Sequence, residues 1–364
     1  MRDLDALTTP DVDGELICRA VLPVTRDVRT FVLGPAGPRL FSFRPGQYLT
    51  VTTPAGSRCY TISSPPTRPH LLAITVKRTP GGPVSGWLHD EFRPGMSVLA
   101  EGPYGGFSCS AYPAPSYLFL SAGSGITPVM SMTRALADLA SDAEVTFVHS
   151  ARTPSDLIFA AELTAMAAAS PRLRLAFVCE DAPADWAGYR GRLSRETLAA
   201  IVPDLPAREV FACGPDGYME SVRAMLAEAG FDLRHYHEES FTFERLATGQ
   251  LTTGQLTTGP GAVPPVPSRS AGDSAAGAAF SVEFTRSGRT VACPPGTLVL
   301  DAALRAGLTL PSSCGEGVCG TCKSTLVSGS VDMAHNGGIR PREIAANKIL
   351  LCCSTPLEDL VIDA

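Results

Sequence analysis

Hydrophobic and polar positions in the first 112 residues form short runs separated by proline and glycine. This is the pattern of β-strands joined by tight turns. Apolar runs at 16–22, 48–52, 71–76 and 97–100 predict such strands. Several short strands between turn residues are typical of a small antiparallel barrel. We therefore predict an antiparallel β-barrel over residues 13–112.

After residue 112 the pattern changes, and strand-like apolar runs alternate with stretches whose apolar residues recur every three or four positions. One such helical stretch is predicted over residues 156–169. Strands that alternate with helices favour a parallel sheet with right-handed crossovers. We therefore predict an α/β domain with a parallel sheet over residues 113–243. Its strands are predicted at 117–121, 145–149, 173–178 and 209–212.

The composition shifts sharply between residues 244 and 279, where no aromatic residue occurs. The unit Gln-Leu-Thr-Thr-Gly occurs twice in tandem, at 250–254 and 255–259. Two copies of a five-residue unit are too few to build a solenoid. A stretch rich in glycine, threonine and proline is typical of a flexible linker. The sequence therefore predicts a linker over residues 244–279.

A third segment regains the pattern of a folded domain. Strand-like runs at 280–284 and 290–293 predict a hairpin, and a helix is predicted over 298–306. A final strand-like run covers 349–352. We therefore predict a small separate domain over residues 280–364.

Composition and charge narrow the class of protein. The 364 residues correspond to two or three domains at roughly 150 residues each. Hydrophobic residues make up 45% and charged residues 18%, which excludes a wholly disordered chain. No run of 18 apolar residues predicts a membrane span, and the mixed net charge of −6 argues against nucleic acid as a partner. The first residues lack a signal-peptide pattern, so we expect a cytoplasmic protein.

Cysteines crowd the third segment at fixed spacing. Cys314, Cys319 and Cys322 form the pattern C-x4-C-x2-C, and Cys352 follows after a long interval. This is the plant-type ligand set of a 2Fe–2S cluster. Zinc would favour two C-x2-C pairs, and the segment has one. The sequence therefore predicts a 2Fe–2S cluster.

The fourth ligand is either Cys352 or Cys353, because side chains alternate along a strand and only one of the two faces the loop. The segment resembles the plant-type ferredoxins, whose fourth ligand lies a few positions before a proline, here Pro356. The resemblance implies Cys352 as the ligand and Cys353 as a packed neighbour. It also implies a β-grasp fold that carries one electron at a time.

The predicted barrel carries side chains suited to a cofactor with phosphates. Arg58 and Tyr60 lie two positions apart, so on a strand they share one face. An arginine binds two phosphate oxygens at once, and an aromatic ring packs against a planar ring system. The glycine-containing turn of residues 82–85 offers N–H groups and a hydroxyl to the same phosphates.

The predicted α/β domain has two candidate ligand loops. Residues 123–128, Gly-Ser-Gly-Ile-Thr-Pro, follow a strand and open a helix, where free N–H groups favour a diphosphate. They depart from the pattern G-x-G-x-x-G, and no ribose-binding acid occupies the usual place. Cys213 and Gly214 end another strand, where open α/β sheets bind ligands.

In their order and spacing these motifs resemble the ferredoxin–NADP reductase superfamily of flavin reductases, over about residues 13–242. The resemblance implies a flavin site and a pyridine nucleotide site, with FAD favoured over FMN. NADH is favoured over NADPH because the sequence has no clear basic cluster for a 2′-phosphate, with Arg152 as the candidate for such a contact. The implied flavin-binding residues are Arg58, Tyr60, Thr61, Ser64, Gly82 and Ser85. The implied nucleotide-binding residues are Gly123, Gly125, Thr127, Cys213 and Gly214. The resemblance also implies that Phe241, in the closing Glu-Ser-Phe motif, lies near the flavin, and its alternative role is core packing. Thr61, Cys213 and Phe241 are the implied catalytic residues.

The complete order of flavin barrel, nucleotide domain and ferredoxin resembles the reductase components of bacterial Rieske-type oxygenases, including those that demethylate quaternary amines. The reductase of hybrid-cluster protein shares this order. The resemblance implies that electrons pass from NADH through FAD and the cluster to a terminal oxygenase or another redox protein. The histidines offer no Rieske ligand pattern, so substrate chemistry is expected on that partner. A nucleotide-responsive binding module with a metal-stapled tail is the alternative of another class.

Overall fold

The computed structural model describes residues 8–9, 12–240, 279–308, 310, 317, 320, 322–335 and 338–364. The described residues divide into two compact units, an N-terminal one and one built mainly from residues after 278. The predicted linker over 244–279 lies, apart from its last residue, outside the described residues. Among the helices of the described ranges, none has the length and apolar character needed to cross a membrane.

The N-terminal unit begins with a six-stranded antiparallel sheet that closes on itself. The sheet order is β6-β5-β8-β2-β3-β7, and a bridge between Ile62 and Ile74 joins its two outer strands. Closure leaves Phe31, Leu49 and Ile74 fully buried inside, which confirms the predicted barrel. The elements are β1 (Thr8–Thr9), β2 (Val12–Thr25), β3 (Val28–Pro35), β4 (Leu40–Phe41), β5 (Tyr48–Thr53), β6 (Gly56–Thr61), β7 (Leu72–Lys77), α1 (Pro83–Asp90) and β8 (Ser97–Tyr104).

Two features of the barrel differ from the sequence prediction. Strand β3 was not predicted. Its buried residues, which include Phe31 and Leu33, do not alternate strictly with more exposed ones. The predicted turn at 82–85 is the first turn of α1, with Gly82 as its N-cap and Pro83 at its first position. Proline suits that position because the first helical N–H groups have no partner within the helix.

The same unit continues with a six-stranded parallel sheet in the order β12-β11-β10-β9-β13-β14. The predicted parallel α/β domain is thereby confirmed. The strand order reverses at β9, so the ends of β9 and β13 border a crevice where such sheets bind ligands. The elements are β9 (Ser116–Ala122), α2 (Ile126–Asp138), β10 (Glu144–Ala151), α3 (Ala160–Ala169), β11 (Leu173–Cys179), β12 (Tyr189–Arg190), α4 (Arg195–Ile201), β13 (Glu209–Gly214), α5 (Asp216–Glu228) and β14 (Tyr236–Ser240).

Alternation along β9 builds the two layers around this sheet. Leu118 and Leu120 pack with the apolar residues of α4 and α5, whereas Phe119 packs with those of α2 and α3. The helix predicted over 156–169 begins at Ala160. A short 3-10 turn at Pro154–Asp156 and a left-handed Phe159, with φ of 57°, delay its start.

The second unit contains a mixed five-stranded sheet in the order β16-β15-β21-β17-β19, with β15 and β21 parallel at its centre. Helix α6 packs its buried residues Val299, Leu300 and Ala303 on this sheet, which confirms the predicted β-grasp fold. The elements are β15 (Phe280–Phe284), β16 (Arg289–Cys293), α6 (Val299–Arg305), β17 (Lys323–Ser328), β18 (Val331–Met333), α7 (Pro341–Ala345), β19 (Lys348–Leu350), β20 (Ser354–Pro356) and β21 (Leu360–Asp363).

The predicted strand over 349–352 is wrong in its second half. Strand β19 ends at Leu350, and Leu351–Cys353 form a 3-10 turn. The alternation of side chains along a strand therefore does not govern which of Cys352 and Cys353 faces the cysteine loop. The direction of each thiol follows from the turn instead.

Candidate active site

The loop after β9 lies directly against the end of β13. A Cβ atom on Gly125 would be 2.3 Å from the carbonyl oxygen of Cys213 and 2.6 Å from the backbone nitrogen of Gly214. Only glycine allows so close a backbone approach. Gly123 has φ of +53°, and a Cβ atom there would meet open space. The fold thus brings the two predicted nucleotide loops together at the crevice.

Helix α2 opens directly from this loop, through a 3-10 turn at Gly123–Gly125. Thr127 is buried in its first turn, and its hydroxyl donates to the carbonyl oxygen of Ser124 at 3.1 Å. No side chain caps the start of the helix. Its first N–H groups and the helix dipole therefore favour an anionic ligand such as a diphosphate.

Two paired residues at the ends of β13 and β14 have side chains whose pKa is raised. Cys213 is fully buried, and burial together with the carboxyls of Glu239 and Glu238 raises the pKa of its thiol. Glu239 stands beside Cys213 on β14. Burial raises the pKa of Glu239 to about 8, and its Oε2 has no hydrogen-bond partner in the described part of the chain. No role for Glu239 was predicted, because its place beside Cys213 depends on the pairing of β13 with β14.

A second buried polar pair lies in the same row of the sheet. Ser121 pairs in register with Cys213 on one side and with His149 on the other. The Ser121 hydroxyl and His149 Nδ1 are 2.8 Å apart, and both residues are fully buried. Burial lowers the pKa of His149 to about 3, so the imidazole is neutral at neutral pH. The sequence analysis missed this pair because it depends on the pairing of separate strands.

Strand β6 presents the predicted flavin motif. Arg58 is half-buried, and its guanidinium donates to the carbonyl oxygen of Ser57 at 2.8 Å. Tyr60 packs against the barrel core, and burial raises the pKa of its phenol. Thr61 is 4% exposed, and its hydroxyl has no hydrogen-bond partner among the described residues. A buried hydroxyl without a partner is costly, so a ligand that bonds to it would stabilise the site.

The start of α1 lies close to β6. A Cβ atom on Gly56 would be 3.6 Å from a methyl group of Val84. Within that first turn the Ser85 hydroxyl accepts from the backbone N–H of Thr79 at 3.1 Å and donates to the carbonyl oxygen of Gly82 at 3.3 Å. Ser64 lies just past β6, and its hydroxyl accepts from the backbone N–H of Ala73 at 3.0 Å. The fold therefore brings the predicted flavin residues to one side of the barrel.

In the second unit the structure brings two predicted cluster ligands together. The backbone N–H of Cys352 donates to the sulfur of Cys322 at 3.5 Å. The backbone N–H of Gly317 donates to the sulfur of Cys352 at 3.3 Å. N–H donors aimed at sulfur stabilise the thiolate form that a metal requires. These two cysteines fit a cluster, whereas Cys314 and Cys319, like Phe241 of the first unit, lie outside the described residues.

Cys353 lies beside Cys352 and close to the same loop, because a Cβ atom on Gly317 would be 2.7 Å from its sulfur. Its sulfur lies 3.7 Å from the carbonyl oxygen of Leu350. A hydrogen bond with Cys352 and burial raise the pKa of the Cys353 thiol, which keeps it protonated. The role of Cys353 as a packed neighbour of the ligand stays a prediction.

Three family models match the chain in succession. The oxidoreductase FAD-binding domain matches residues 16–109, the oxidoreductase NAD-binding domain matches 119–224, and the 2Fe-2S iron-sulfur cluster binding domain matches 282–357. The matches follow the three folds in order. They confirm FAD, a nicotinamide nucleotide and a 2Fe–2S cluster as the cofactors.

Similar proteins have the same three parts in one chain. The glycine betaine monooxygenase reductase subunit of Pseudomonas aeruginosa is 41% identical over 362 residues, which cover 95% of this chain and 94% of that protein. The chain belongs to this family of oxygenase reductase subunits. The stachydrine N-demethylase reductase subunit of Rhizobium meliloti is 39% identical, with 96% of each reductase subunit covered.

A solved structure agrees with the family. Phthalate dioxygenase reductase, described as a modular structure for electron transfer from pyridine nucleotides to a 2Fe–2S cluster, has a TM-score of 0.55 and 25% identity. The match covers 96% of this reductase subunit and 97% of that chain. The protein is thus an oxidoreductase that passes electrons from a nicotinamide nucleotide through FAD and a 2Fe–2S cluster to a redox partner. The binding-module alternative is not favoured.

Proposed function

We propose that this protein is the NADH-dependent reductase component of a Rieske-type oxygenase that demethylates a quaternary ammonium compound in the cytoplasm. The observation that carries the proposal is similarity over nearly the whole chain to two reductase subunits whose systems act on glycine betaine and stachydrine. Both compounds are N-methylated quaternary ammonium carboxylates. A shared reductase type therefore supports a partner that acts on the same class of substrate.

The flavin is assigned to the side of the barrel formed by β6 and α1. Bound FAD accepts a pair of electrons and releases them one at a time, which a nicotinamide and an iron–sulfur cluster cannot do alone. Arg58 pairs with the flavin phosphates, and Tyr60 packs along the flavin ring. The buried Thr61 hydroxyl supplies a hydrogen bond to the ring. The remaining proposed flavin contacts are Ser64, Gly82 and Ser85.

The nucleotide is assigned to the crevice between β9 and β13. Gly123, Gly125 and Thr127 bind the diphosphate at the start of α2, and Cys213 and Gly214 border the nicotinamide. Phe241 is proposed to cover the flavin from the end of β14.

Acidic groups near the adenosine end support NADH over NADPH. The backbone N–H of Asp181 donates to the carbonyl oxygen of Arg152 at 2.7 Å, at the ends of β10 and β11. Arg192 forms an ion pair with Glu180 at 3.2 Å. The acidic residues Glu180 and Asp181 thus follow β11 next to Arg152, and carboxylates at this position oppose the charge of a 2′-phosphate. The same carboxylates accept hydrogen bonds from the hydroxyl groups of an unphosphorylated ribose.

The cluster is assigned to Cys314, Cys319, Cys322 and Cys352. We propose the domain limits 13–112 for the flavin barrel, 113–243 for the nucleotide domain and 280–364 for the ferredoxin domain. Residues 244–279 join the second domain to the third.

An anaerobic titration of the purified holoprotein tests the electron path. NADH is expected to bleach both the flavin and the cluster bands, completely at about 1.5 equivalents, because FAD takes up two electrons, the cluster takes up one and each NADH supplies two. NADPH is expected to require a far higher concentration. Added to an oxygenase that demethylates glycine betaine, the NADH-reduced protein is expected to support formaldehyde release. A protein that reduces the flavin with NADH but supports no demethylation of glycine betaine or stachydrine would contradict the proposed partner class. Equal bleaching by NADPH would contradict the preference for NADH.

A further inference from the structure

Helix α2 contacts the barrel through one face. Ser131, Arg134 and Asp138 stand three and four positions apart, so their side chains project from the same side of the helix. All three contact the segment 63–68, which directly follows the flavin motif of β6. We call these three side chains and that segment the α2 seam.

Two side chains of the α2 seam hold consecutive backbone carbonyls. Arg134 Nη1 donates to the carbonyl oxygen of Ser63 at 2.6 Å, and the Ser131 hydroxyl donates to that of Ser64 at 2.8 Å. On their other side both serines are bound to the barrel. The backbone N–H of Ser63 donates to the carbonyl oxygen of Ala73 at 2.8 Å, and the Ser64 hydroxyl accepts from the backbone N–H of Ala73 at 3.0 Å. The peptide segment is thus held between the barrel and the helix.

The end of the α2 seam adds an ion pair. Arg68 donates to both carboxylate oxygens of Asp138, at 2.9 and 2.6 Å, and the Thr67 hydroxyl donates to the same carboxylate. Arg68 is largely exposed, so this pair adds little stability on its own. It fixes the direction of the segment beyond Ser64.

Arg134 is itself held in one orientation. Its Nε and Nη2 donate to the two carboxylate oxygens of Glu162 at 2.7 and 2.6 Å, and the guanidinium lies 4.6 Å from the centre of the Phe159 ring. The Arg134 side chain is 11% exposed. A guanidinium with a bidentate carboxylate, an aromatic face and a carbonyl acceptor has little freedom to move.

The same helix that holds this segment carries the nucleotide loop at its start. Thr61 lies two residues before Ser63, and Gly125 precedes the first residue of α2. We propose that Arg134 is a positioning residue that sets the distance between the flavin and the nicotinamide. Arg134 acts through the backbone of Ser63, with Ser131 as the second anchor. This inference rests on the proposed assignment of both sites.

Rapid-mixing reduction of the FAD- and cluster-loaded protein by NADH tests it. Arg134→Met is expected to lower the limiting rate of flavin reduction by about 10- to 100-fold, because a small misplacement of reacting groups is costly. The NADH concentration for half-maximal rate is expected to change by less than about threefold, since the nucleotide loop is intact. The long-wavelength absorbance of the nicotinamide–flavin contact is expected to weaken. Arg134→Lys keeps the positive charge and one donor nitrogen but not the planar guanidinium that binds Glu162 and Ser63 together. This variant is therefore expected to retain part of the rate that Arg134→Met loses.

Arg172→Met is the matched control. Like Arg134, Arg172 pairs with a carboxylate and donates to a backbone carbonyl, both from Asp142, but at the opposite end of the sheet, so wild-type rates are expected. A wild-type limiting rate in Arg134→Met, or a defect confined to NADH affinity, overturns the inference. If Arg134→Met fails to retain FAD, the same measurement on Ser131→Ala tests the inference. A slower limiting rate of flavin reduction is expected for Ser131→Ala, and a wild-type rate overturns the inference. A wild-type protein whose flavin NADH does not reduce would refute the proposed function instead.

Discussion

A methyl group on Gly125 would lie 2.3 Å from the carbonyl oxygen of Cys213. The two residues are far apart in sequence, and the backbone of one closes against the backbone of the other. This approach determines the width of the crevice at the ends of β9 and β13.

Gly125→Ala is therefore expected to impair the nucleotide site. The added carbon meets backbone atoms, which cannot rotate away, so the loop or β13 has to shift at a cost of about 1–3 kcal/mol. We expect reduced NADH-dependent flavin reduction and a lower unfolding midpoint. Gly217→Ala in α5 is the control, because a Cβ atom there meets open space. That control is expected to stabilise the protein by about 0.5–1 kcal/mol, and an unimpaired Gly125→Ala would contradict the close approach.

The raised pKa of Glu239 predicts a pH dependence of stability. Burial raises this pKa to about 8, whereas an unfolded glutamate titrates near about 4.3. Between these values the folded protein binds a proton that the unfolded chain releases, so the contribution of Glu239 to stability is lost as pH rises. Glu239→Gln should gain stability over wild type by up to about 1.4 kcal/mol per pH unit in that window. Urea unfolding of both proteins at several pH values measures the difference, and a pH-independent difference would sink the prediction.

The two adjacent cysteines of the 3-10 turn predict opposite outcomes on substitution. Cys352→Ala is expected to lose the cluster, because the Cys352 sulfur accepts the backbone N–H of Gly317 and the Cys352 backbone N–H donates to the sulfur of Cys322. Cys353→Ala is expected to retain it, because the Cys353 thiol lies by the carbonyl oxygen of Leu350. Iron content and the visible spectrum after anaerobic purification measure both. The reverse pattern would assign the fourth ligand to Cys353.

Gly317 is expected to be essential for the cluster loop. Its φ is +67°, and a Cβ atom would lie 2.7 Å from the sulfur of Cys353 and 3.0 Å from the Cα of His335. Gly317→Ala should therefore lower both iron retention and stability. Gly288→Ala has nearly the same φ, +63°, but open space around the added carbon, so it isolates the backbone strain of roughly 1–2 kcal/mol. Equal iron content in the two variants would show that crowding around Gly317 has no effect.

The sequence determined the order of the three folds and the chemistry of the cluster, because both are local. Strand and helix periods come from neighbouring residues, and the C-x4-C-x2-C spacing that ends at Cys322 indicates a 2Fe–2S cluster. The hydrophobic period predicted the wrong secondary structure where the backbone forms a turn, such as the 3-10 turn at Leu351–Cys353. Capping and turn geometry decide such boundaries.

Only the tertiary structure decided which distant residues meet. Ser63 and Arg134 are 71 positions apart, yet their hydrogen bond joins the barrel to α2. The hydrogen bond between Ser121 and His149 likewise joins residues of separate strands. The Thr61 hydroxyl is buried without a partner among the described residues, which also became visible only in the folded chain. Hydrophobic periodicity specifies which side of an element is buried but not which polar atoms face each other. Those partners follow from strand order and helix packing, which the chain reaches only when folded.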